Sequence, residues 1–307
     1  MINAMSLNIT LRQLVTFDSL ARHRNFTRVA DQMGLTQPAV SMQMKQLENQ
    51  LGVALTEQTG KRIDLTEEGE ETLTCARAIL QNLDDLEIAL DERKGVRTGR
   101  LLISVVTTVN TFAPKLLRTF QQEYPGVNIV LDVANRKRLL HLLSENEVDM
   151  VIMGKPPKGQ DLKAEAILEN PLVIVAHPDH PLAKKKRISL SAFENETFIM
   201  REPGSGTRSV MERFFEEKKQ TYVSGLEVSG AEALKQCVQS GLGLGLMSRD
   251  AVMMELEAGH VIELDVAGLP IQRHWYLVHR KGKRLSPPAR AFKEFVLGEA
   301  ETLVQGG

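Results

Sequence analysis

Side chains suited to holding an anion sit at three places in the second half of this chain. Thr107-Thr108 follows an apolar run at residues 101–106, and Asn135-Arg136 follows another at 127–133; residues 200–208, MREPGSGTR, form a glycine-rich turn ahead of a helix-like segment. Hydroxyls and backbone amides suit a carboxylate or phosphate where a strand end meets a helix N-terminus. In the glycine-rich turn the amides around Gly206, with Ser205, Thr207 and one or both of Arg201 and Arg208, could cradle the same kind of group; Glu202 shares that turn. The alternative is a Ser/Thr-capped helix start with solvated arginines. The chemistry on offer is binding. His177, His180 and His274 have neither metal-ligand spacing nor an evident nucleophile partner, and no G-x-x-x-x-G-K-S/T phosphate loop is present. No catalytic residue, metal or cofactor is expected.

A different chemistry is available near the N-terminus. Residues 25–52, NFTRVADQMGLTQPAVSMQMKQLENQLG, read as two short helices joined by a tight turn. Asn25 or Thr27 can cap the first helix, Val29, Ala30 and Met33 give it an apolar face, and Gly34 breaks it. Thr36 can cap the second, with Pro38 in its first turn, where a missing amide hydrogen costs little. Val40, Met44, Leu47 and Leu51 make one buried stripe on that helix. Its opposite face carries Gln37, Ser41, Gln43 and Lys45 with no acid before Glu48, so it can approach phosphates and offer donors and acceptors to base edges. This helix-turn-helix grammar points to DNA; the alternative is an ordinary amphipathic helix.

Other elements must position these groups. Thr10 caps a preceding helix that would pack behind the pair. Residues 53–65 read as a hairpin with Thr59-Gly60 at its tip and Lys61 and Arg62 beside it, either a wing for the sugar-phosphate backbone or a solvated turn. A long helix follows from Thr66. Its stripe of Leu73, Ala76, Leu80, Leu83 and Leu90 suits pairing with a second copy or packing on the chain's own domain. Residues 95–99, GVRTG, mark a hinge. Beyond it, strand-like runs at 101–106, 127–133, 149–153, 172–177, 197–200, 225–228, 243–247 and 271–279 alternate with helix-like segments, the last starting at Pro288. The pattern predicts an α/β domain of two lobes with mainly parallel strands and a ligand cleft between the lobes. Gly241, Gly243 and Gly245 resemble part of a dinucleotide fingerprint, but they leave a helix and enter a strand, the reverse of what that site needs. The expected division is 1–65, a winged helix-turn-helix domain; 66–95, a linker helix; and 96–307, the two-lobed domain.

Composition narrows the function. A net charge of -1 argues against coating nucleic acid through bulk charge. The charge is uneven, however: residues 1–65 hold seven Lys/Arg against five Asp/Glu, and residues 66–94 hold three against nine. The basic excess therefore travels with the helix-turn-helix. No apolar run approaches the roughly 18 residues of a membrane span and no signal-peptide core is evident, so a cytoplasmic protein with no membrane partner is expected. Cys75 and Cys237 are isolated, which indicates neither a metal site nor a disulfide framework.

The run LRQLVTFDSLARHRNFTRVADQMGLTQPAVSMQMKQLENQLGVALTEQTGKRIDLTEEG resembles the winged helix-turn-helix of LysR-type transcriptional regulators, and the resemblance extends over almost the whole chain. Within that family GKRIDLTEEG, VANRKRLL, MREPGSGTR and SGLGLGLMS look most like the regulators of carbon-fixation operons. Thr56 departs from the pattern where the family commonly has Phe, and Gln58 stands where many members have Arg, which bears on one phosphate contact. The resemblance implies an all-α winged helix-turn-helix and linker helix ahead of an effector domain of two Rossmann-like lobes, similar to type 2 periplasmic binding proteins. It implies that Thr36, Gln37, Ser41, Gln43 and Lys45 face the DNA groove and that Arg28, Lys61 and Arg62 hold phosphates. It further implies dimers through the linker helix, tetramers through the effector domains, and double-stranded promoter DNA as partner. The effector would be a small anion between the lobes, phosphorylated in the carbon-fixation type, with an organic or aromatic acid as the alternative. A reading of another class, a solute-binding protein or metabolic enzyme with an accessory N-terminal domain, would need export or a catalytic constellation.

Overall fold

The computed structural model describes residues 8–59, 62–91 and 98–305, so Gly60, Lys61 and most of the predicted hinge lie outside it. The chain forms two compact units, residues 1–93 and 94–307. In the first, Thr10 and Gln13 form a capping box that starts α1 (Leu11–His23). Asn25 Oδ1 accepts the Arg28 N–H at 3.1 Å and opens α2 (Phe26–Met33), which ends at Gly34 with φ 63°. That left-handed residue turns the chain tightly into α3 (Gln37–Leu51), capped by Thr36. Phe17, Leu20, Val29, Val40, Met44 and Leu47 meet in one fully buried core.

The hairpin β1 (Thr56–Thr59) and β2 (Arg62–Leu65) follows, with Thr59 opposite Arg62. Its base is tied to α3 through Glu48, whose carboxylate accepts the Leu55 N–H at 2.9 Å and both the N–H and hydroxyl of Thr56 at 3.2 Å. Thr56 is thus seated by hydrogen bonds where the family commonly places an aromatic ring. At the start of α4 (Glu67–Asp91), Thr66 Oγ1 accepts the Gly69 N–H at 2.9 Å and donates to the Ala54 carbonyl at 2.8 Å. Leu73 and Ala76 join the core of the unit and Arg77 Nε pairs with Asp18 at 2.8 Å. The near part of the linker stripe therefore packs on its own domain; Ile79 and Leu86 stay 45% and 55% exposed.

The second unit has two lobes. The first contains β3 (Gly99–Val106), α5 (Ala113–Glu123), β4 (Val127–Ala134), α6 (Arg136–Ser144), β5 (Met150–Gly154) and β6 (Leu162–Glu169). The chain then crosses to β7 (Leu172–Ala176), β8 (Thr197–Arg201), α7 (Gly206–Glu217), β9 (Val223–Val228), α8 (Ala231–Gln239), β10 (Gly245–Ser248), α9 (Met253–Glu257) and β11 (Ile262–Glu263). It returns as β12 (His274–Arg280) between β5 and β6, and α10 (Pro287–Gln305) closes the first lobe. Phe120 packs against Phe292 and Phe295 in the first core, and Phe198 against Phe193 and Phe215 in the second.

The expectation of mainly parallel strands needs correction. β3 runs parallel to β4 and β5, and β8 to β9, but β12 is antiparallel to β5 and β6, and β10 and β11 are antiparallel to β7. The returning chain enters the first lobe at the end where β5 stops, so β12 has to run the other way. β6, α9 and β11 were not anticipated; β6 does alternate over residues 162–166, but its Leu, Lys, Ala and Glu are helix formers with weak strand preference. The three clustered glycines form the predicted helix-to-strand turn, and at Gly243 (φ 153°) a Cβ would lie 2.6 Å from the Thr197 carbonyl oxygen.

His279 on β12 is 6% exposed, with Lys293 Nζ 3.4 Å from its Nε2 and that ammonium 2.6 Å from Glu165. Burial first, and then the Lys293 charge, push the imidazole below its ordinary value. The unfolded chain binds this proton first, so stability is expected to fall as pH drops through about 6.5. Thermal unfolding between pH 7.5 and 5 should show a shallower acid-side decline in His279→Gln than in the parent protein.

Candidate ligand cleft and nucleic-acid interface

Four strand ends and two helix starts converge between the lobes. β3 delivers Val106, Thr107 and Thr108; β4 leads into Asn135 and Arg136 at the start of α6; β5 ends at Gly154; and β8 ends at Arg201, ahead of Ser205, Gly206 and Thr207 at the start of α7. With Arg273 and Trp275 from the returning strand they line a narrow cleft open to solvent, with a cavity volume of about 30 Å³ between the side chains and about 380 Å³ of atom-free space when its open mouth is counted. Asn135 and Ser205 are the caps of α6 and α7, accepting the N–H groups of Arg138 at 3.0 Å and Arg208 at 3.4 Å. Both helices therefore point their amide-rich, positive ends toward the cavity.

Two arginines play different parts here. Arg201 is 5% exposed and clamped by Glu202, with Nε and Nη2 2.8 and 3.0 Å from its carboxylate, while Nη2 also donates to Thr107 Oγ1 at 3.2 Å. Burial opposes ionisation of Glu202, but the Arg201 hydrogen bonds and charge outweigh it and hold the carboxyl below its ordinary value. The Arg273 guanidinium has no hydrogen-bond or carboxylate partner among the described residues. Desolvation, reinforced by Arg213 and Arg136, pushes its guanidinium down to about 10. It fits there because β5 ends in glycine: a Cβ on Gly154 would lie 2.3 Å from Arg273 Nη2. The Trp275 indole N–H is likewise buried without an acceptor. A cleft that holds an unpaired guanidinium between two helix N-termini suits an anion.

Of the residues expected from sequence, Thr107, Thr108, Asn135, Arg136, Arg201, Ser205, Gly206 and Thr207 line this cavity. Glu202 and Arg208 do not. Glu202 orients Arg201 and accepts the Gly230 N–H at 3.2 Å. Arg208 turns away to Glu227 (2.6 Å), Glu212 (2.8 Å) and the Arg201 carbonyl (2.8 Å), because two carboxylates lie within its reach. Arg208→Ala should accordingly leave ligand affinity within about threefold of the parent, checked by calorimetric titration. Its largest effect belongs in stability, by roughly 1 kcal/mol for exposed pairs plus one hydrogen bond. Arg273, Trp275 and Gly154 were missed. The late strand at 271–279 is legible, but nothing in sequence tells that Arg273 and Trp275 within it border the cleft.

In the first unit, Thr36, Gln37 and Lys45 are exposed and Ser41 is half-buried along one side of α3. Arg28 and Lys45 are exposed and carry no ion partner among the described residues. Glu48 spends its charge on the start of β1, which leaves the face free of competing acid. Gln43 is half-buried, and its Oε1 accepts the Thr16 hydroxyl at 2.6 Å, so part of its amide is committed to α1. Lys61 lies outside the described residues, and Arg62 is placed by its backbone in β2.

Residues 11–70 match the model of the bacterial regulatory helix-turn-helix proteins of the lysR family, and residues 94–301 match that of the LysR substrate binding domain. The chain belongs to the LysR family. Over 294 residues it is 51% identical to the RuBisCO operon transcriptional regulator of Allochromatium vinosum, covering 96% of this chain and 97% of that protein. It is 44% identical over 292 residues to the regulator CbbR of Rhodospirillum rubrum, covering 95% and 97%. Among solved structures, the regulatory domain of Synechocystis PCC6803 CcmR in complex with 2-PG (2-phosphoglycolate) is 37% identical, with TM-score 0.63 over 66% of this chain and 97% of that one. This LysR protein thus has relatives that are transcription regulators and not enzymes, which sets aside the solute-binding and metabolic-enzyme reading. No helix among its described residues is long and apolar enough to cross a membrane.

Proposed function

We propose that this LysR protein regulates transcription of carbon-fixation genes in the cytoplasm, and that a small phosphorylated anion bound between the lobes of its effector domain controls it. The observation that carries the effector reading is the unpaired Arg273 guanidinium in a cavity faced by two helix N-termini. A phosphate head group would take the hydroxyls of Thr107, Ser205 and Thr207 with the neighbouring amides, while Arg136 and Arg273 neutralise its charge. The CcmR regulatory domain that holds 2-PG supports this class of ligand. No bond is made or broken.

On the DNA side, Gln37, Ser41, Lys45 and the remaining amide of Gln43 offer base-edge contacts, with Thr36 at the helix start. Arg28, Lys61 and Arg62 contact phosphates of promoter DNA. Exposed Ile79 and Leu86 on α4 suit self-association of the linker helix, and a tetramer would then place two dimers on DNA. The effector acts by binding one arrangement of the assembly better than another. Thermal unfolding of the full-length protein against 2-phosphoglycolate, glycolate and simple aromatic acids tests the reading. Saturable stabilisation by the phosphorylated compound, with an altered promoter footprint, is expected. Stabilisation only by the non-phosphorylated acids would replace it with an organic-acid regulator.

A further inference from the structure

A second, larger cavity of about 630 Å³, open to solvent, shares Arg136, Gly206 and Arg273 with the first. Its remaining wall includes Lys155 and Lys158 from the segment after β5 and Arg213 from α7, and no carboxylate lines it. Gly206, Ser209, Val210 and Arg213 fall at helical spacing, so one face of α7 forms that wall. The cations are not spent on the protein itself. Lys155 and Lys158 have no ion partner among the described residues, and Arg213 reaches Glu217 only at 3.7 Å, with both side chains 65% exposed. Such a pair contributes little. Arg136 donates to the Lys155 carbonyl at 3.1 Å, which ties the basic segment to the inner cavity. Five cations facing one space repel one another, and Arg213 and Arg136 both help to depress Arg273. A space of this sign is complementary to a ligand with several negative charges.

We propose that this outer basin is a second anion-binding site, separate from the inner cleft, which takes a small metabolite carrying two or more phosphate groups. Lys155, Lys158 and Arg213 hold the phosphates, and His274 and Tyr276, an edge-to-face pair with ring centroids 6.4 Å apart, border the rest of the molecule. Arg136 and Arg273 belong to both sites. Two anions drawing on the same guanidinium groups oppose each other, so each weakens the other by the same factor.

Inorganic tripolyphosphate is the probe, titrated calorimetrically into the full-length protein. Lys155→Ala/Lys158→Ala and, separately, Arg213→Ala are expected to weaken tripolyphosphate at least tenfold and to flatten its salt dependence. Thr107→Val/Thr207→Val, which strips the inner cradle, should leave it within about threefold. Arg28→Ala/Lys45→Ala should do the same, since those residues lie in the other unit. Unchanged affinity in both outer-basin variants, or loss of binding in either of the other two pairs, would overturn the proposal. Saturating 2-phosphoglycolate should weaken tripolyphosphate threefold or more, and an unaltered constant would remove the shared-arginine coupling. Because the outer site is read on tripolyphosphate alone, failure of the inner-cleft reading leaves this result standing.

Discussion

Arg273→Ala is expected to destroy effector binding while leaving the fold as stable as before, or more so. Most buried arginines behave the other way, because removing one strands a carboxylate and costs about 3–5 kcal/mol. The Arg273 side chain strands nothing: its guanidinium has no partner among the described residues, and desolvation already holds it down to about 10. Truncation therefore relieves a strained charge. The ligand loses a cation it meets in a desolvated cavity, an effect of about 2–5 kcal/mol, or roughly 30-fold and upward in dissociation constant. Thermal unfolding with and without 2-phosphoglycolate reads both halves at once. An unchanged ligand-free midpoint with a vanished ligand-induced shift is expected. A midpoint lowered by many degrees would mean that Arg273 is structural.

Gly69→Ala should break the junction between the winged helix-turn-helix and its linker helix. Helix propensity alone predicts a gain of about 1 kcal/mol from Gly to Ala in a helix. Sterics decide against it, because the new Cβ would lie 2.1 Å from the Leu55 carbonyl oxygen and 3.2 Å from Thr66 Oγ1. The first of these is backbone next to a fully buried Leu55, and it cannot swing aside. Overpacking costs up to about 3 kcal/mol, so a net loss near 2 kcal/mol remains. In a unit of 93 residues that lowers the unfolding midpoint by roughly 10 °C. Electrophoretic mobility shift should show promoter affinity falling with it, and an unaltered midpoint would contradict the close approach.

The two halves of the chain were legible to different depths. In the first, caps and breakers act locally: Thr10, Asn25, Gly34 and Thr36 stand at helix ends as their residue types suggest, since each satisfies orphan groups within a few residues. The use of Gln43 was not legible, because its partner Thr16 comes from another helix. In the second unit the residues that follow a strand and open a helix could be named in advance, as Thr107, Asn135 and Ser205 were. Arg208 was misplaced because sequence lists a cation without its acids, and Glu212 and Glu227 reach it from the same helix and from a neighbouring strand. Arg273 and Trp275 escaped because their importance depends on where the chain returns between lobes, a property of topology alone.

That return has a mechanical side. The lobes are joined by two neighbouring segments, held together where the Asn170 N–H meets the Arg273 carbonyl at 2.8 Å and where Leu172 bridges Ile271. The guanidinium of Arg273 faces the cavity while its own carbonyl fastens the joint. A load on that side chain is therefore applied at the pivot itself, with no lever arm of loop between sensor and hinge. An anion held by that guanidinium would pull on the two crossing segments directly, at the Asn170–Arg273 backbone bond.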